Sequence, residues 1–417
     1  MNKKPHIVII GAGFGGVYTA KYLLHKLGDT ADVTLVSRDN YFLFTPLLHE
    51  VATGSLSHWS VVEPVAEIFR GTHLHFCQGE VHNIDLVGKS VQGENCSFQY
   101  DYLVIASGAE TNTYGIPGVA EHSLKLKTLS DAVTLRKRVI ESIKKASHED
   151  DQAERKRLLS FVIVGAGPTG VELAAELAEF IFQVAKSYYA SALSAHEISI
   201  TLIASSPDIV PQFSPKVRER ALAILTRKGI EILLGTAVTK VSADGVEVKS
   251  GFIPAGTIIW VAGVEASLPP IAGEVHMHKS GRLMVNEYLQ AEEHTDVFAL
   301  GDGAILPMKE GEQPVPQLAQ VAVQEAKVVA KNISFLMSAS RPRAQLTRFV
   351  YHQKGMLISL GSWQAAGDIF GWHPSGHLMW FLWRTIYLFK FNSWRKRLSI
   401  VVEWTINLFT PRDISEI

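Results

Sequence analysis

The sequence predicts an α/β protein with two doubly wound parallel sheets, followed by a C-terminal helical segment. Two glycine-rich turns, GAGFGG at 11–16 and GAGPTG at 165–170, each follow an apolar, β-branched run and open a helical pattern. Strand and helix patterns then alternate through most of the chain, as doubly wound sheets require. From about residue 371 this alternation gives way to Trp, Phe and Leu interspersed with Arg and Lys.

In chain order, the first half begins with an apolar run that is too short for a signal peptide and leads directly into the first turn. The predicted elements are a strand over 6–10, a helix over about 16–27, a strand ending near Ser37, an aromatic and apolar loop over 40–56, a buried strand ending at Gly108, a helix over 130–147 and an exposed polar connection over 147–157.

The second half repeats the pattern after the second glycine-rich turn. The predicted elements are a helix over 171–189, a strand over 198–206, two glycine-ended strands within 256–267 and 294–304, and a helix over 316–337. Basic side chains interrupt the apolar run after residue 371, so it is too short to span a bilayer. Its aromatic and basic composition instead predicts helices that lie in a membrane interface, with docking on the body as the alternative.

Composition restricts the classes of function. The 417 residues, 47% hydrophobic and 19% charged, suit two or three domains with a large core. A net charge of −1 gives no basic field for nucleic acid. Cys77 and Cys96 form no C-x-x-C motif, and two cysteines are too few for a disulfide scaffold or a zinc site. We therefore expect a reducing compartment and no bound metal.

The two glycine-rich turns predict phosphate binding. In each, the first glycine allows the tight turn, the second lets the backbone approach a pyrophosphate, and the third permits close helix–strand packing. The pyrophosphate then rests on the helix N-terminus. Two turns in this context predict two Rossmann-like domains that bind two dinucleotides, with electrons passing between them. The glycines are Gly11, Gly13 and Gly16 in the first turn and Gly165, Gly167 and Gly170 in the second.

The position that selects the ribose is unusual in both halves. The end of the second Rossmann strand commonly carries an acid that bonds the ribose hydroxyls. Ser37 and Arg38 occupy it in the first half, and Ala204 occupies it in the second. Without a carboxylate at Ala204 a 2′-phosphate is not repelled, and no Arg is adjacent to bind one. Strict selection of NADH over NADPH is therefore left open.

Several further motifs carry a family resemblance. They are NYFLFTPLLHEVATGSL, GAGPTGVELAAELAE, WVAGVEAS, TDVFALGDGA, AQVAVQ and YHQKGMLISLG. With the first glycine-rich turn, they make the chain resemble the type II NADH:quinone oxidoreductases, which are single-chain, FAD-containing, non-proton-pumping enzymes on the membrane surface. The resemblance implies hydride transfer from NADH to non-covalent FAD, followed by two-electron reduction of a membrane quinone in a respiratory chain.

The resemblance also implies roles for individual residues. On the flavin side it points to Asp302, Thr45, Pro46, Ala109 and Ala319. In the nicotinamide half it points to Gly263 in the turn and to Glu172 at the nicotinamide–flavin interface, for which a structural role at the helix start is the alternative. Glu176, one turn further along, is interpreted as a helix-face charge, and His49 as structural.

The A-Q-x-A-x-Q motif implies the quinone site. Gln320 and Gln324 are four residues apart, so on a helix they share one face, from which their amides can hydrogen-bond a quinone carbonyl. Lys354 matches a family lysine near the quinone end.

The expected domains are an FAD-binding domain (1–115 and 270–340), an NAD(P)H-binding domain (116–269) and a C-terminal domain with membrane-anchoring helices (341–417). We expect a monotopic homodimer on the cytoplasmic face of the cell membrane. Sulfide:quinone oxidoreductase and other flavin-dependent NAD(P)H reductases share this scaffold and remain alternatives, although the first needs cysteines near the flavin.

Overall fold

A computed structural model describes residues 4–307, 315–338 and 346–415. The strands, numbered along the chain, are β1 (His6–Ile10), β2 (Asp32–Ser37), β3 (Tyr41–Leu43), β4 (Val62–Pro64), β5 (His75–Gln78), β6 (Val81–Asp85), β7 (Ser90–Gly93), β8 (Ser97–Gln99), β9 (Tyr102–Ile105), β10 (Ala109–Thr111), β11 (Ser160–Val164), β12 (Ser199–Ile203), β13 (Ile230–Leu233), β14 (Val238–Ser242), β15 (Gly245–Val248), β16 (Gly251–Pro254), β17 (Thr257–Trp260), β18 (Val264–Ala266), β19 (Ile271–Ala272), β20 (Leu283–Met284), β21 (Val297–Ala299), β22 (Ala304–Ile305), β23 (Met356–Ser359) and β24 (Ala365–Asp368).

The α-helices are α1 (Phe14–Leu27), α2 (Leu48–Ala52), α3 (Val65–Ile68), α4 (Val119–His122), α5 (Leu129–Ala146), α6 (Gln152–Leu158), α7 (Pro168–Tyr188), α8 (Pro215–Arg227), α9 (Ala319–Leu336), α10 (His377–Leu388) and α11 (Trp394–Ile406). Among the described residues, no helix is both long enough and apolar enough to cross a bilayer.

The chain divides into two compact units. Unit 1 contains residues 1–42, 63–110 and 264–352, and unit 2 contains residues 43–62, 111–263 and 353–417. Four of the predicted domain limits, residues 1, 340, 341 and 417, lie outside the described residues.

Unit 1 is built on a five-stranded parallel sheet in the order β21-β9-β1-β2-β5. The sequence favours this arrangement because β1 and β9 are nearly continuous runs of buried Val, Ile and Leu, as expected of strands covered on both faces. Helix α1 follows β1 and packs against α9. The carboxyl ends of β1, β2, β9 and β21 therefore meet at one edge of the sheet, where ligands bind in such folds.

Unit 2 repeats the design with a four-stranded parallel sheet in the order β13-β12-β11-β17. Helix α7 follows β11 and is almost entirely buried along its first four turns. An antiparallel meander of β14, β15 and β16 shares a hydrophobic core with the sheet around Val162, Val246 and Trp260. The hairpin of β23 and β24 and the helices α10 and α11 complete the unit.

Two segments are more ordered than the sequence predicts. The expected loop over 40–56 contains β3 and α2. The expected polar connection over 147–157 contains α6, because Asp151 caps its N-terminus by accepting hydrogen bonds from the backbone N–H groups of Ala153 (2.8 Å) and Glu154 (3.1 Å).

Candidate functional site

The first glycine-rich turn in unit 1 has the geometry of a phosphate cradle. Gly11 has φ +98°, and a Cβ there would lie 2.4 Å from the Ala106 carbonyl oxygen. A Cβ on Gly16 would lie 1.8 Å from the Gly11 carbonyl oxygen, so α1 can approach the strand only with glycine here. Gly13, the N-cap of α1, faces open space, and within the described chain no side chain caps this helix. The first N–H groups of α1 therefore point into open space in which an anion can bind.

The second turn in unit 2 repeats this geometry. Gly165 has φ +116°, and a Cβ there would lie 2.6 Å from the backbone of Val261. A Cβ on Gly170 would lie 1.8 Å from the Gly165 carbonyl oxygen, and Gly167 faces open space at the N-terminus of α7. Each unit therefore carries its own cradle of this kind, in which a side chain at the first or third glycine would clash with the backbone.

Other predicted flavin residues of unit 1 lie at the same sheet edge. Ser37 ends β2, Ala109 follows Gly108 after β9, and Asp302 lies in the turn Gly301–Gly303 after β21. Gly303 lies against the Gly108 backbone, since a Cβ on it would be 3.4 Å from that carbonyl oxygen. The buried Ser107 hydroxyl has no hydrogen-bond partner in the described residues, which fits a polar ligand group at this edge.

The turn that carries Asp302 is held by a residue that the sequence analysis missed. Glu325 on α9 is buried and accepts a hydrogen bond from the Gly301 N–H at 2.6 Å. Burial raises the pKa of Glu325 to about 7, although the Gly301 N–H and Arg282 oppose the shift. Glu325 follows the A-Q-x-A-x-Q motif directly, so the motif's helix and the Gly-Asp turn are fixed together.

Helix α9 begins at Ala319 and presents the predicted quinone residues as a half-buried row. Gln320 and Gln324 lie one turn apart, as the spacing predicts. The Gln324 amide bonds both backbone groups of His352, donating to its carbonyl (3.0 Å) and accepting from its N–H (3.1 Å). Gln324 therefore fixes the segment that leads to Lys354, whose own side chain is exposed.

In unit 2, Ala204 lies at the end of β12, as the sequence predicts. It is buried, and its backbone bonds Leu233 and Thr236. Gly263 follows β17. The hydroxyl of exposed Tyr114 lies so close to it that a Cβ on Gly263 would be 2.1 Å from that oxygen. Sequence reasoning missed Tyr114, which carries no motif.

Glu172 on α7 is buried in unit 2. One carboxyl oxygen accepts from the Ser359 N–H at 2.9 Å, and the other lies 3.8 Å from Nδ1 of His49. Burial raises the pKa of Glu172 to about 8, helped by the nearby carboxyls of Glu50 and Glu176. Burial also lowers the pKa of His49 to about 3, so the imidazole is neutral and Glu172 holds the proton at neutral pH.

The turn of Thr45 and Pro46 leads into α2, which supplies this histidine. Thr45 is exposed, and the Pro46 carbonyl accepts a hydrogen bond from His49. The Nε2 atom of His49 is buried without a partner among the described residues. His49 is therefore placed by its own turn and lies beside Glu172.

Glu50, Glu172 and Glu176 form what we call the buried carboxylate cluster. Glu176 is 3% exposed, which corrects its interpretation as a helix-face charge: it pairs with the buried Arg412 at 2.7 Å. Glu50 accepts from the indole N–H of Trp404 at 2.5 Å, and burial raises its pKa to about 7. No local pattern predicts these partners, because they lie more than 230 residues away in the C-terminal segment.

Arginines of the C-terminal segment balance this cluster. The guanidinium of Arg384 stacks on the rings of Trp380 (3.8 Å) and Trp404 (4.6 Å). Its positive charge lowers the pKa of Glu50 and so opposes the rise that burial causes. Arg384 therefore packs between aromatic rings of the C-terminal segment and lies close to the buried carboxylate cluster.

Comparison with known proteins identifies the chain. The family described as pyridine nucleotide-disulphide oxidoreductase matches residues 5–326, and the NDH2 C-terminal domain matches residues 353–413. The type II NADH:quinone oxidoreductase Ndh of Mycobacterium tuberculosis is 32% identical over 98% of this chain and 89% of its own. This chain belongs to the type II NADH:quinone oxidoreductase family. The resemblance inferred from the motifs is confirmed.

Other members and structures agree with this assignment. The internal alternative NAD(P)H-ubiquinone oxidoreductase A1 of Arabidopsis thaliana is 30% identical over 100% of this chain and 86% of its own. The structure of NDH2 from Plasmodium falciparum in complex with NADH matches with a TM-score of 0.90, covering 99% of this chain and 100% of that one at 23% identity. The predicted fold class is thereby confirmed. Sulfide:quinone oxidoreductase from Aquifex aeolicus shares the fold less closely, with a TM-score of 0.73 at 20% identity over 98% of this chain and 96% of that one.

Proposed function

We propose that this protein is an FAD-dependent NADH:quinone oxidoreductase that does not pump protons. The observation that carries the proposal is the match to type II NADH:quinone oxidoreductases along 98% of the chain. The two dinucleotide cradles support it, because one chain that binds two dinucleotides can pass electrons between them. FAD, when bound, accepts a hydride from the nicotinamide and delivers two electrons to the quinone.

The residues of unit 1 suit a permanently held FAD. The open N-terminus of α1 at Gly13 can take the pyrophosphate, and the unpartnered Ser107 hydroxyl can bond a further polar group. We assign Asp302 and Ala109 to the flavin from their position at this sheet edge, and Ser37 and Arg38 to its ribose. We assign Thr45, Pro46 and Ala319 from the resemblance.

The cradle in unit 2 is assigned to NADH, with Gly167 at its open N-terminus and Gly263 in the matching turn. Ala204 leaves the ribose position without a carboxylate, so NADPH is expected as a weaker alternative substrate.

We assign Glu172 to the nicotinamide–flavin interface, where its carboxyl can supply one of the two protons that the reduction of a quinone needs. Its carboxyl is protonated at neutral pH and ionises near pH 8, which makes it a proton donor in the physiological range. His49 beside it is neutral and therefore places no positive charge next to that carboxyl. We assign Gln320 to hydrogen bonding of the quinone carbonyl, Gln324 to the same site and to holding His352, and Lys354 to the quinone end.

The C-terminal segment supports membrane contact. Its large apolar side chains fall into a buried set, such as Trp383 and Trp404, and an exposed set. The exposed set is Phe370, Trp372, Leu378, Phe381, Leu382, Phe389, Trp394, Leu398, Val401, Val402, Ile406 and Phe409. So much apolar surface in one segment, with exposed Lys390 and Arg395, fits insertion into the interface of an anionic membrane. The cytoplasmic face and the homodimer stay predictions.

Anaerobic half-reactions test the proposal. Mixing the purified holoprotein with NADH should bleach the flavin absorbance, and adding a quinone should restore it. A flavin that NADH does not bleach would exclude the enzyme. A flavin that is bleached by NADH but reoxidised by no quinone would exclude the quinone step. Bleaching by sulfide instead of NADH would favour the sulfide:quinone alternative.

A further inference from the structure

The two cysteines, which the proposed reaction does not use, lie side by side in unit 1. Cys77 is on β5, the edge strand of the parallel sheet, in register with Val36 of β2. Cys96 is in the turn between β7 and β8. The Cys96 thiol interacts with the Cys77 thiol, and both residues are partly exposed. A pair that is separated by 18 residues in the sequence is thus in contact at the surface.

The backbone holds the two thiols in this contact. The β7–β8 turn is closed by the Gly93 N–H donating to the Cys96 carbonyl at 2.8 Å. The Glu94 N–H donates to the Glu80 carbonyl at 2.8 Å, and the Asn95 amide donates to the Gln78 carbonyl at 3.5 Å. The Cys96 sulfur also lies close to Gly93, where a Cβ would meet it at 3.0 Å. The turn is therefore fastened to the residues that directly follow Cys77.

Those same residues hold the end of β2. The Gln78 amide donates to the Arg38 carbonyl at 3.1 Å, and the Gly79 N–H donates to the Ser37 carbonyl at 2.9 Å. Ser37 and Arg38 are the residues assigned above to the ribose of FAD. The residues after Cys77 are therefore joined to the ribose position by two direct hydrogen bonds.

We propose that Cys77 and Cys96 are a site of reversible oxidation, at which a peroxide converts the thiol pair into a disulfide that weakens the binding of FAD. In this proposal, closing the S–S bond to about 2 Å draws the β7–β8 turn and the end of β5 together. This shift strains the contacts to Ser37 and Arg38. The effect on FAD rests on the proposed function, whereas disulfide formation does not.

The chemistry proceeds with the peroxide as the sole oxidant. Burial and the neighbouring Cys77 raise the pKa of the Cys96 thiol, and we assign the first attack to the Cys77 sulfur. The Cys77 sulfur attacks hydrogen peroxide, the O–O bond breaks, and a sulfenic acid and one water form. The Cys96 sulfur then attacks the Cys77 sulfur; the S–O bond breaks, and a second water leaves with the Cys96 proton. Two thiols lose two electrons and two protons, and one peroxide becomes two waters.

Mass spectrometry and flavin release test the proposal on the full-length holoprotein. After peroxide treatment and alkylation of free thiols, the chain should be about 2 Da lighter than its reduced form and carry no alkyl group, and dithiothreitol should reverse both changes. The rate at which FAD appears in the filtrate, measured by its fluorescence, should rise at least threefold.

Matched single variants make the test specific. Peroxide should leave the FAD release rate of Cys77→Ser and of Cys96→Ser unchanged, and neither variant should form the intramolecular disulfide. Two thiols that remain open to alkylation, or that only gain oxygen, would overturn the disulfide. A disulfide that forms without faster FAD release would overturn its effect on the cofactor. A protein that binds no FAD at all would instead contradict the proposed function, and the mass measurement would still stand.

Discussion

Ala204 occupies the position at which a carboxylate would select NADH over NADPH. It directly follows β12, where a carboxylate would bond the ribose hydroxyls of NADH and repel the 2′-phosphate of NADPH. We expect Ala204→Glu to raise the ratio of kcat/KM for NADH over NADPH about tenfold, since one charged hydrogen bond contributes roughly 1.5–3 kcal/mol. Steady-state kinetics with both cofactors measure this ratio.

Ala204→Gln is the matched control, because it adds a side chain of the same size without the charge. Ala204 is buried, so both variants need a check that they still bind FAD. If the glutamine variant changes the ratio as much as the glutamate variant does, shape rather than charge selects the cofactor. An unchanged ratio in both would mean that Ala204 does not face the ribose.

Glu172 should make both stability and activity depend on pH. Its folded-state pKa of about 8 lies above the ordinary value of 4.5, so the folded protein holds a proton that the unfolded chain has released. Its contribution to stability is therefore lost as pH rises from about 4.5 through about 8. We expect Glu172→Gln to raise Tm by several °C at pH 9 and by almost nothing at pH 4, as measured by thermal unfolding.

The same variant tests the assignment of the proton. Reoxidation of the reduced protein by quinone should slow above pH 8 in the wild type, and should be slow and independent of pH in Glu172→Gln. Glu219→Gln, on the exposed face of α8, should show neither effect. A Tm gain that is equal at both pH values would show that protonation of Glu172 does not account for the gain.

Helix α9 carries two glutamines, Gln320 and Gln324, that have different roles. Gln320 is assigned to the quinone, whereas Gln324 is occupied with the backbone of His352. We therefore expect Gln320→Ala to slow quinone-dependent reoxidation ten- to a hundredfold and to leave the rate of flavin reduction by NADH unchanged. Anaerobic stopped-flow measurements separate the two rates.

Gln324→Ala should behave differently, because it also removes both hydrogen bonds to His352 and so lowers thermal stability. Lys327→Ala, at an exposed position of the same helix, is the control for nonspecific effects. Equal losses in both half-reactions of Gln320→Ala would argue against a role confined to the quinone.

The elements also show what local sequence can and cannot predict. The glycine-rich turns were predictable residue by residue, because each glycine answers a constraint within its own strand–turn–helix unit. Glu176 was not, since periodicity alone cannot show that Arg412 will bury and neutralise a charge on α7. The Cys77–Cys96 contact was missed for the same reason: it depends on the packing of a hairpin against an edge strand.

For the molecule as a whole, the C-terminal segment has two separate tasks. Its buried side supplies Arg384, Trp404 and Arg412 to the buried carboxylate cluster. Its exposed side carries the apolar set assigned to the membrane. Deleting the segment would remove both and leave Glu176 buried without its counter-charge, which is strongly destabilising. A test of membrane binding must therefore change the exposed side alone.

Such a variant is available because the two sides use different residues. The fourfold variant Leu378→Gln, Phe381→Gln, Leu398→Gln and Phe409→Gln alters only exposed positions, so the folded protein and its flavin half-reaction with NADH should be preserved. Binding to vesicles that contain anionic lipid should fall at least tenfold in a sedimentation assay, since each apolar side chain withdrawn from the interface removes roughly 1 kcal/mol or more. Val87→Gln with Phe252→Gln, at exposed apolar positions outside the segment, should bind like the wild type. Full sedimentation of the fourfold variant with lipid would contradict the proposed membrane contact, and reduced sedimentation of the control would show that general hydrophobicity, rather than this segment, determines binding.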